Sequence, residues 1–123
     1  MKLVHRLFLI ATFFISISAL PAADSAQAEK IFKGLLAAQH ARDYEAFIAD
    51  ADDNLKAALT KTQFEASSNI INERGDYEIT SLGELNQHGY QVFLYRLRFK
   101  SGGDDFLATM SLKNNKVGGI YFH

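Results

Sequence analysis

The sequence of 123 residues contains no cysteine, no tryptophan and only one proline. Without cysteine the chain cannot carry a disulfide scaffold, a thiolate metal site, a cysteine nucleophile or a lipid-anchored N-terminal cysteine. With one proline and no low-complexity run, it is neither a linker nor a fibrous protein. The formal charge is only −1, which argues against strong binding to nucleic acid. The composition, 48% hydrophobic and 22% charged, is typical of one small globular domain.

The first 22 residues have the three parts of a secretory signal peptide. Lys2 and Arg6 form a basic start, a long uncharged apolar run follows, and small residues come next. The apolar run is shorter than the roughly 20 residues that a membrane span needs, so an uncleaved anchor helix is the less favoured alternative. We expect cleavage after Ala22 or after Ala28. The mature protein would then be periplasmic or secreted, with no stable membrane span after cleavage.

Residues 29–123 are expected to fold as a single α+β domain whose helices precede its strands. Apolar residues at helical spacing predict a first helix over residues 24–40. Asp43 is predicted to cap a short second helix. The segment Thr62-Gln63-Phe64-Glu65 reads as a capping box that opens a longer helix, and Gly75 is typical of the residue that follows such a helix.

After Gly75 the apolar period changes to two, which predicts strands. The predicted strands are Tyr77–Leu85, Tyr90–Phe99, Phe106–Leu112 and Val117–Phe122. Their short connections favour an antiparallel meander, and Gly83 is predicted to mark a β-bulge in the first strand. The predicted fold is therefore a set of N-terminal helices packed on a curved antiparallel meander of about four strands.

The turns between the later strands predict which side chains share a face of the sheet. A two-residue Asn114-Asn115 turn pairs Leu112 with Val117, Met110 with Gly119 and Ala108 with Tyr121. A loop over residues 101–104 pairs Phe99 with Phe106, Leu97 with Ala108, Tyr95 with Met110 and Phe93 with Leu112. Both turns place the same apolar set on one face, which we assign to the helices. From this inner face we take the candidate ligand pocket: Phe93, Tyr95, Met110 and Tyr121.

The opposite, outer face of the predicted sheet is less polar than a solvated antiparallel face should be. We predict that a second copy of the chain covers it and that the protein is a homodimer. The alternative is a scatter of apolar side chains over a strongly twisted sheet. The candidate interface residues are Leu94, Arg96, Arg98, Ile120 and Phe122.

No pattern in the sequence predicts a metal site or a cofactor. The run Asp50–Asn54 begins like a calcium loop, but the Gly and Glu that such a loop needs at its sixth and twelfth positions are missing. His40, His88 and His123 lack the spacing that places two ligands on one face. We therefore predict no metal and no cofactor.

The catalytic candidates are equally weak, and we predict no catalytic residue. His40 and Asp43 have the spacing of an acid–base pair, but helix capping explains Asp43 better. A general base would require Glu78 or Glu84 to reach a tyrosine such as Tyr95 on the inner face, where burial raises the pKa of a carboxyl.

Two stretches of the chain resemble one known superfamily. The segment Leu35–Phe47 is similar to the first helix, the break and the acidic second-helix start of the nuclear-transport-factor-2-like (cystatin-like cone) superfamily. The segment Lys116–Phe122 resembles the closing strand of a small uncharacterised subgroup found in exported proteins and beside α/β-hydrolase domains. The resemblance covers residues 29–123 and implies a cone-shaped fold. Some members are isomerases, dehydratases or cyclases with an acid–base residue inside the cone, whereas many others only bind ligands or partners.

We therefore predict an exported, non-enzymatic binding or protein-interaction domain. Its partner would be a second copy of the chain, a small apolar ligand or another protein. The alternative is a small isomerase- or dehydratase-like enzyme with an acid–base residue in the cone. A large cavity around a buried titratable group would favour the enzyme, whereas a cone filled by aromatic side chains would favour the interaction domain.

Overall fold

A computed structural model describes residues 22–123, and the predicted signal peptide up to Pro21 lies outside the described residues. The helices are α1 (Ser25–Ala41), α2 (Tyr44–Ile48), α3 (Asp53–Ala58) and α4 (Lys61–Arg74). The strands are β1 (Tyr77–Gln87), β2 (Tyr90–Phe99), β3 (Phe106–Lys113) and β4 (Lys116–Phe122). The strands pair in chain order as one antiparallel sheet, so the predicted α+β class and meander are confirmed. Within the described part, no helix is both long and apolar enough to cross a membrane.

Short polar side chains fix where the helices begin. Asp24, Asp43 and Asp52 each accept a hydrogen bond from the backbone N–H three residues later, at 2.7–3.0 Å. Each bond satisfies one of the free N–H groups at the first turn of α1, α2 or α3. The predicted cap at Asp43 is confirmed, and α1 begins and ends within one residue of its predicted bounds.

The capping box of α4 lies two residues earlier than predicted. Thr60 Oγ1 accepts a hydrogen bond from the Gln63 backbone N–H at 3.1 Å, and Gln63 Oε1 accepts one from the Thr60 N–H at 3.0 Å. Thr62 lies inside the helix instead. Both threonines have an acidic or amide residue three positions later, and the earlier start gives α4 two more residues of backbone hydrogen bonding.

We expect the Thr60→Ala variant to lose about 1 kcal/mol of unfolding free energy, because the variant lacks the cap hydroxyl. Thr62→Ala is the matched control, and we expect it to change the unfolding free energy by less than about 0.5 kcal/mol. Urea denaturation followed by circular dichroism measures both values. The reverse ranking of the two variants would contradict this assignment of the cap.

The helices cover one face of the sheet, and the core lies between them. Phe32 of α1 is fully buried and its ring stacks on the ring of Tyr95 of β2, with centroids 4.1 Å apart and an interplanar angle of 8°. Around this pair lie other large side chains of the buried core, among them Leu36, Phe64, Leu97, Met110, Leu112 and Val117. Each such side chain contributes about 1.5–3 kcal/mol when it leaves water, so this face holds the domain together.

Strand β3 pairs with β2 two residues away from the predicted register. Phe106 lies opposite Leu97, and Ala108 lies opposite Tyr95. The loop between the strands is wider than predicted, and the Arg74 guanidinium donates hydrogen bonds to the carbonyls of Gly102 and Asp104 within it. A shift of two residues leaves every side chain on its predicted face, so the inner-face assignment of β2 and β3 stands.

Strand β4 contains a bulge that the sequence analysis missed. The Asn114-Asn115 turn and the Leu112–Val117 pair are as predicted, with positive φ at both asparagines. Beyond that pair, Gly119 lies opposite Ser111, which leaves Gly118 as an extra residue. A Cβ on Gly118 would come within 2.5 Å of the Tyr90 ring, so only glycine fits there.

The bulge exchanges the two faces for the rest of β4. Ile120 lies opposite Met110 and Phe122 opposite Ala108, so both side chains pack against the core on the inner face. Tyr121 is 63% exposed on the outer face. The predicted face was therefore wrong for these three residues, because an extra residue reverses the alternation of side chains.

The bulge predicted in the first strand is confirmed. The β1–β2 register shifts between Ser81 and Gly83, and Gly83 has a φ of 135°. After the shift Glu84 lies opposite Phe93, which puts this carboxylate on the inner side of the sheet at its open edge. Glu78 lies opposite Arg98 on the outer face.

Candidate functional site

Three of the predicted pocket residues belong to the packed core. Phe93, Tyr95 and Met110 are at most 3% exposed and belong to the cluster of buried side chains between the helices and the sheet. Phe32 stacks directly on Tyr95. The fourth predicted pocket residue, Tyr121, lies on the other face. The structure therefore brings the first three together and separates them from Tyr121.

Tyr95 is the buried titratable group of the inner face. Burial, the largest cause, and the repulsion of a phenolate by the nearby carboxylates of Glu29 and Glu84 together raise the pKa of its phenol to about 12. The side chain is 2% exposed. At neutral pH the phenol is thus fully protonated and shielded from solvent.

We expect the unfolding free energy of the wild-type chain to fall between pH 10 and pH 12 relative to that of Tyr95→Phe. The unfolded chain releases the phenol proton near its ordinary pKa of about 10, whereas the folded chain holds it to about pH 12. The raised pKa makes its full contribution to the unfolding free energy below pH 10, and this contribution is lost above pH 12. Urea denaturation at pH 9 and pH 11.5 measures the difference. A difference that does not change with pH would contradict the shielding of Tyr95.

The outer face of the sheet carries most of the exposed apolar side chains. Leu85, Leu107 and Tyr121 are 42%, 37% and 63% exposed, and Leu82 in the β1 bulge is 52% exposed. Leu94 lies among them in β2, half-buried. We call this set the outer patch: Leu82, Leu85, Leu94, Leu107 and Tyr121. It runs across all four strands, because Leu94 lies opposite Thr109, and Thr109 lies opposite Tyr121.

Charged side chains of both signs border the outer patch at the far end of β2. Arg98 contacts Asp105 at 3.8 Å, a weak ion pair between two exposed groups. Arg96 donates a long hydrogen bond of 3.4 Å to Thr80, and its buried Nε has no hydrogen-bond partner among the described residues. Exposed Glu78 lies on the neighbouring strand. This border presents both arginine donors and carboxylate acceptors.

Of the five predicted interface residues, the structure keeps three on the outer face. Leu94, Arg96 and Arg98 lie there as predicted. Ile120 and Phe122 do not, because the Gly118 bulge turns them toward the core. The bulge brings Tyr121 to the outer patch instead, where its ring lies 3.2 Å from the position of a Cβ on Gly119. Gly118 and Gly119 lie at this exchange, but their sequence does not distinguish a bulge from a regular strand.

His40 and Asp43 each have another hydrogen-bond partner in the structure. The His40 ring forms a hydrogen bond of 3.0 Å with Asn72, and the Asp43 carboxylate caps α2. Asp52 likewise serves as a helix cap and accepts a hydrogen bond from the Tyr90 hydroxyl. Residues 22–123 contain no group of three or more potential metal ligands in reach of one ion.

One buried polar group was missed by the sequence analysis. Gln39 is 1% exposed, and its Nε2 donates to Ser67 Oγ at 2.8 Å. Its Oε1 has no partner among the described residues. The side chain lines a cavity of about 60 Å³ with apolar walls from Phe47, Phe64 and Ile120, which is room for about two water molecules. The signal was a polar residue at the i+4 position from Leu35 on the apolar stripe of α1.

The comparisons with known proteins extend to the fold and no further. No family model matches the sequence. No curated protein matches it either. The structure is similar to a crystal structure described as an uncharacterized cystatin fold protein from Novosphingobium aromaticivorans. The two are 14% identical, the match covers 76% of this chain and 95% of the other, and the TM-score is 0.44. Membership of the nuclear-transport-factor-2-like superfamily stays a prediction from the sequence.

Proposed function

We propose that this chain is an exported, non-enzymatic protein-interaction domain that pairs with a second copy of itself through the outer patch. The observation that carries the proposal is the concentration of exposed apolar side chains on the helix-free face. Of the five large apolar side chains that are most exposed in the described part, only Ile70 lies on a helix. Contiguous exposed apolar surface of this kind marks sites of association.

The charges around the outer patch favour a copy of the same chain over a partner of one charge sign. A two-fold axis brings the same surface from both chains together, so each group meets the complement that its own face supplies. Glu78 and Asp105 of one chain are acceptors for Arg96 and Arg98 of the other.

The size of the face is compatible with a dimer. Four strands of at least seven residues each offer a flat footprint of roughly 20 Å by 25 Å. A standard interface buries roughly 800 Å² of accessible surface on each partner. The accessible surface of this footprint is of the same order, because side chains project from the plane of the sheet and add to its area.

The enzyme alternative finds less support. It needs a cavity that connects an acid–base residue of the inner face with substrate. Tyr95 is the inner-face group nearest to that description, and Phe32 covers its ring. Glu84 has the inner register but lies at the exposed edge of the sheet. The packing therefore favours a structural inner face and an interacting outer face.

Sedimentation equilibrium of the purified protein at micromolar to tens of micromolar concentrations tests the proposal. We expect the mass of two chains at the upper end of this range. A single-chain mass at every concentration would contradict self-association, and the outer patch would then need a different partner.

A further inference from the structure

Ala23 is the first of the described residues that packs in the core. Ala22 is exposed, whereas Ala23 is 5% exposed and belongs to the core. The Ala23 backbone N–H donates to Gln91 Oε1 at 3.0 Å, and Gln91 Nε2 donates to the Ala23 carbonyl at 3.0 Å. The Gln91 amide thus pairs with a single backbone residue as a strand neighbour would.

The next residues complete the start of α1. The Asp24 carboxylate accepts a hydrogen bond of 2.7 Å from the Gln27 N–H and caps the helix. Ala28 is fully buried in the core. A chain that began at Glu29 would lack the Gln91 partner, the cap, the first turn of the helix and the Ala28 contact.

We propose that signal cleavage occurs between Ala22 and Ala23, and that Gln91 holds the new N-terminal residue against the sheet. The inference rests on the proposed export of the chain. The sequence alone leaves both sites open, and the small-x-small triplet Ala26-Gln27-Ala28 even favours the later one. The peptidase acts on an unfolded chain, so the fold does not guide the enzyme. The fold instead shows which cleavage product keeps the residues that pack in the folded domain, and that product begins at Ala23.

The freed α-amino group fits this position. An ammonium group carries three N–H donors, so the donor that Gln91 Oε1 accepts from is still present after cleavage. The Ala23 carbonyl, which receives the second hydrogen bond, is untouched by cleavage. Cleavage at this junction therefore removes the exposed Ala22 and preserves both hydrogen bonds of Ala23.

Expression of the full chain with its own leader in a Gram-negative host, followed by intact mass and N-terminal sequencing, tests the assignment. We expect an exported protein that has lost residues 1–22 and begins at Ala23. An exported protein that begins at any other residue would overturn the cleavage assignment and leave export standing. A full-length protein that stays in the cytoplasm would overturn both.

Two exposed alanines provide a matched pair of variants. Ala22→Tyr places a large side chain directly before the proposed cleavage site, so we expect processing there to be lost. Ala26→Tyr blocks the alternative site in the same way, and we expect it to leave the mature N-terminus at Ala23. Both side chains are exposed in the folded chain, so neither change disturbs packing. Loss of processing in Ala26→Tyr alone would overturn the assignment.

The role of Gln91 has its own readout on the mature protein. Gln91→Leu removes both hydrogen bonds to Ala23, and we expect the melting temperature to fall by about 4–8 °C. Gln87→Leu, the same change at an exposed position of β1, is the control and should leave it unchanged within about 2 °C. Equal melting temperatures for the two variants would show that Ala23 is not held by Gln91.

Discussion

We expect Leu94→Glu to turn the proposed dimer into monomers and to raise its dissociation constant by about 100-fold or more. Leu94 lies in the middle of the outer patch, opposite Thr109. In a two-fold interface each variant chain buries its own new carboxylate. A buried charge without a partner costs on the order of 3–5 kcal/mol, which exceeds the roughly 2.8 kcal/mol that a 100-fold change requires.

The control for Leu94→Glu is Ile70→Glu on α4. Ile70 is 55% exposed, so this variant adds the same charge and removes a similar apolar group away from the sheet. We expect sedimentation to show a monomer for Leu94→Glu and a dimer for Ile70→Glu, with similar far-ultraviolet circular dichroism for both. A Leu94→Glu protein that remains dimeric would remove the outer patch from the interface.

The faces of the sheet could be predicted from the sequence wherever the alternation of side chains ran without interruption. Phe93, Tyr95, Leu97 and Met110 took their predicted places even though the β2–β3 register was wrong by two residues. An even shift preserves the face of every side chain. The wider loop accepts hydrogen bonds from Arg74, which lies in a helix far from that loop in sequence and could not be placed there beforehand.

The bulges show where this reasoning fails. Gly83 interrupts an apolar alternation in β1 and was therefore interpreted as a bulge. The side chains that follow Gly118 alternate as in a regular strand. The local pattern therefore does not indicate an extra residue at Gly118. Its cause is tertiary, because the Tyr90 ring and the Asp52 carboxylate occupy the space of a Cβ at Gly118. Three candidate residues, Ile120, Tyr121 and Phe122, changed faces as a result.

The candidate pocket could be predicted as a set of residues but not as an empty or a filled space. The sequence places aromatic and apolar side chains on the inner face, which fits a ligand cavity and a packed core equally well. The decision depends on how closely α1 approaches the sheet. The contact of 4.1 Å between the Phe32 and Tyr95 ring centroids shows that a side chain of the chain itself occupies the position that an apolar ligand would take.

Phe32→Ala is expected to lower the unfolding free energy by about 3–5 kcal/mol, the usual loss when a buried phenylalanine is truncated. Phe32 is fully buried, and truncation of its side chain leaves a cavity of the size of a phenyl ring beside Tyr95. A domain of this size is stable by about 5–15 kcal/mol, so the variant loses a large part of its stability. Urea denaturation measures the loss, and Ile70→Ala at an exposed helix position is the control, with an expected change below about 1 kcal/mol.

The same variant tests whether the Phe32 ring fills the place that an apolar ligand would take on the inner face. The space left by the Phe32 ring has apolar walls, so we expect it to stay dry and to accept benzene. Benzene binds only the folded variant and should therefore recover part of the lost unfolding free energy, by an amount that grows with its concentration. The wild-type chain, in which the ring is present, should gain nothing. A wild-type chain that is stabilised as much as the variant would mean that the inner face already holds an open apolar site, and the ligand-binding interpretation of the cone would replace the interaction through the outer patch.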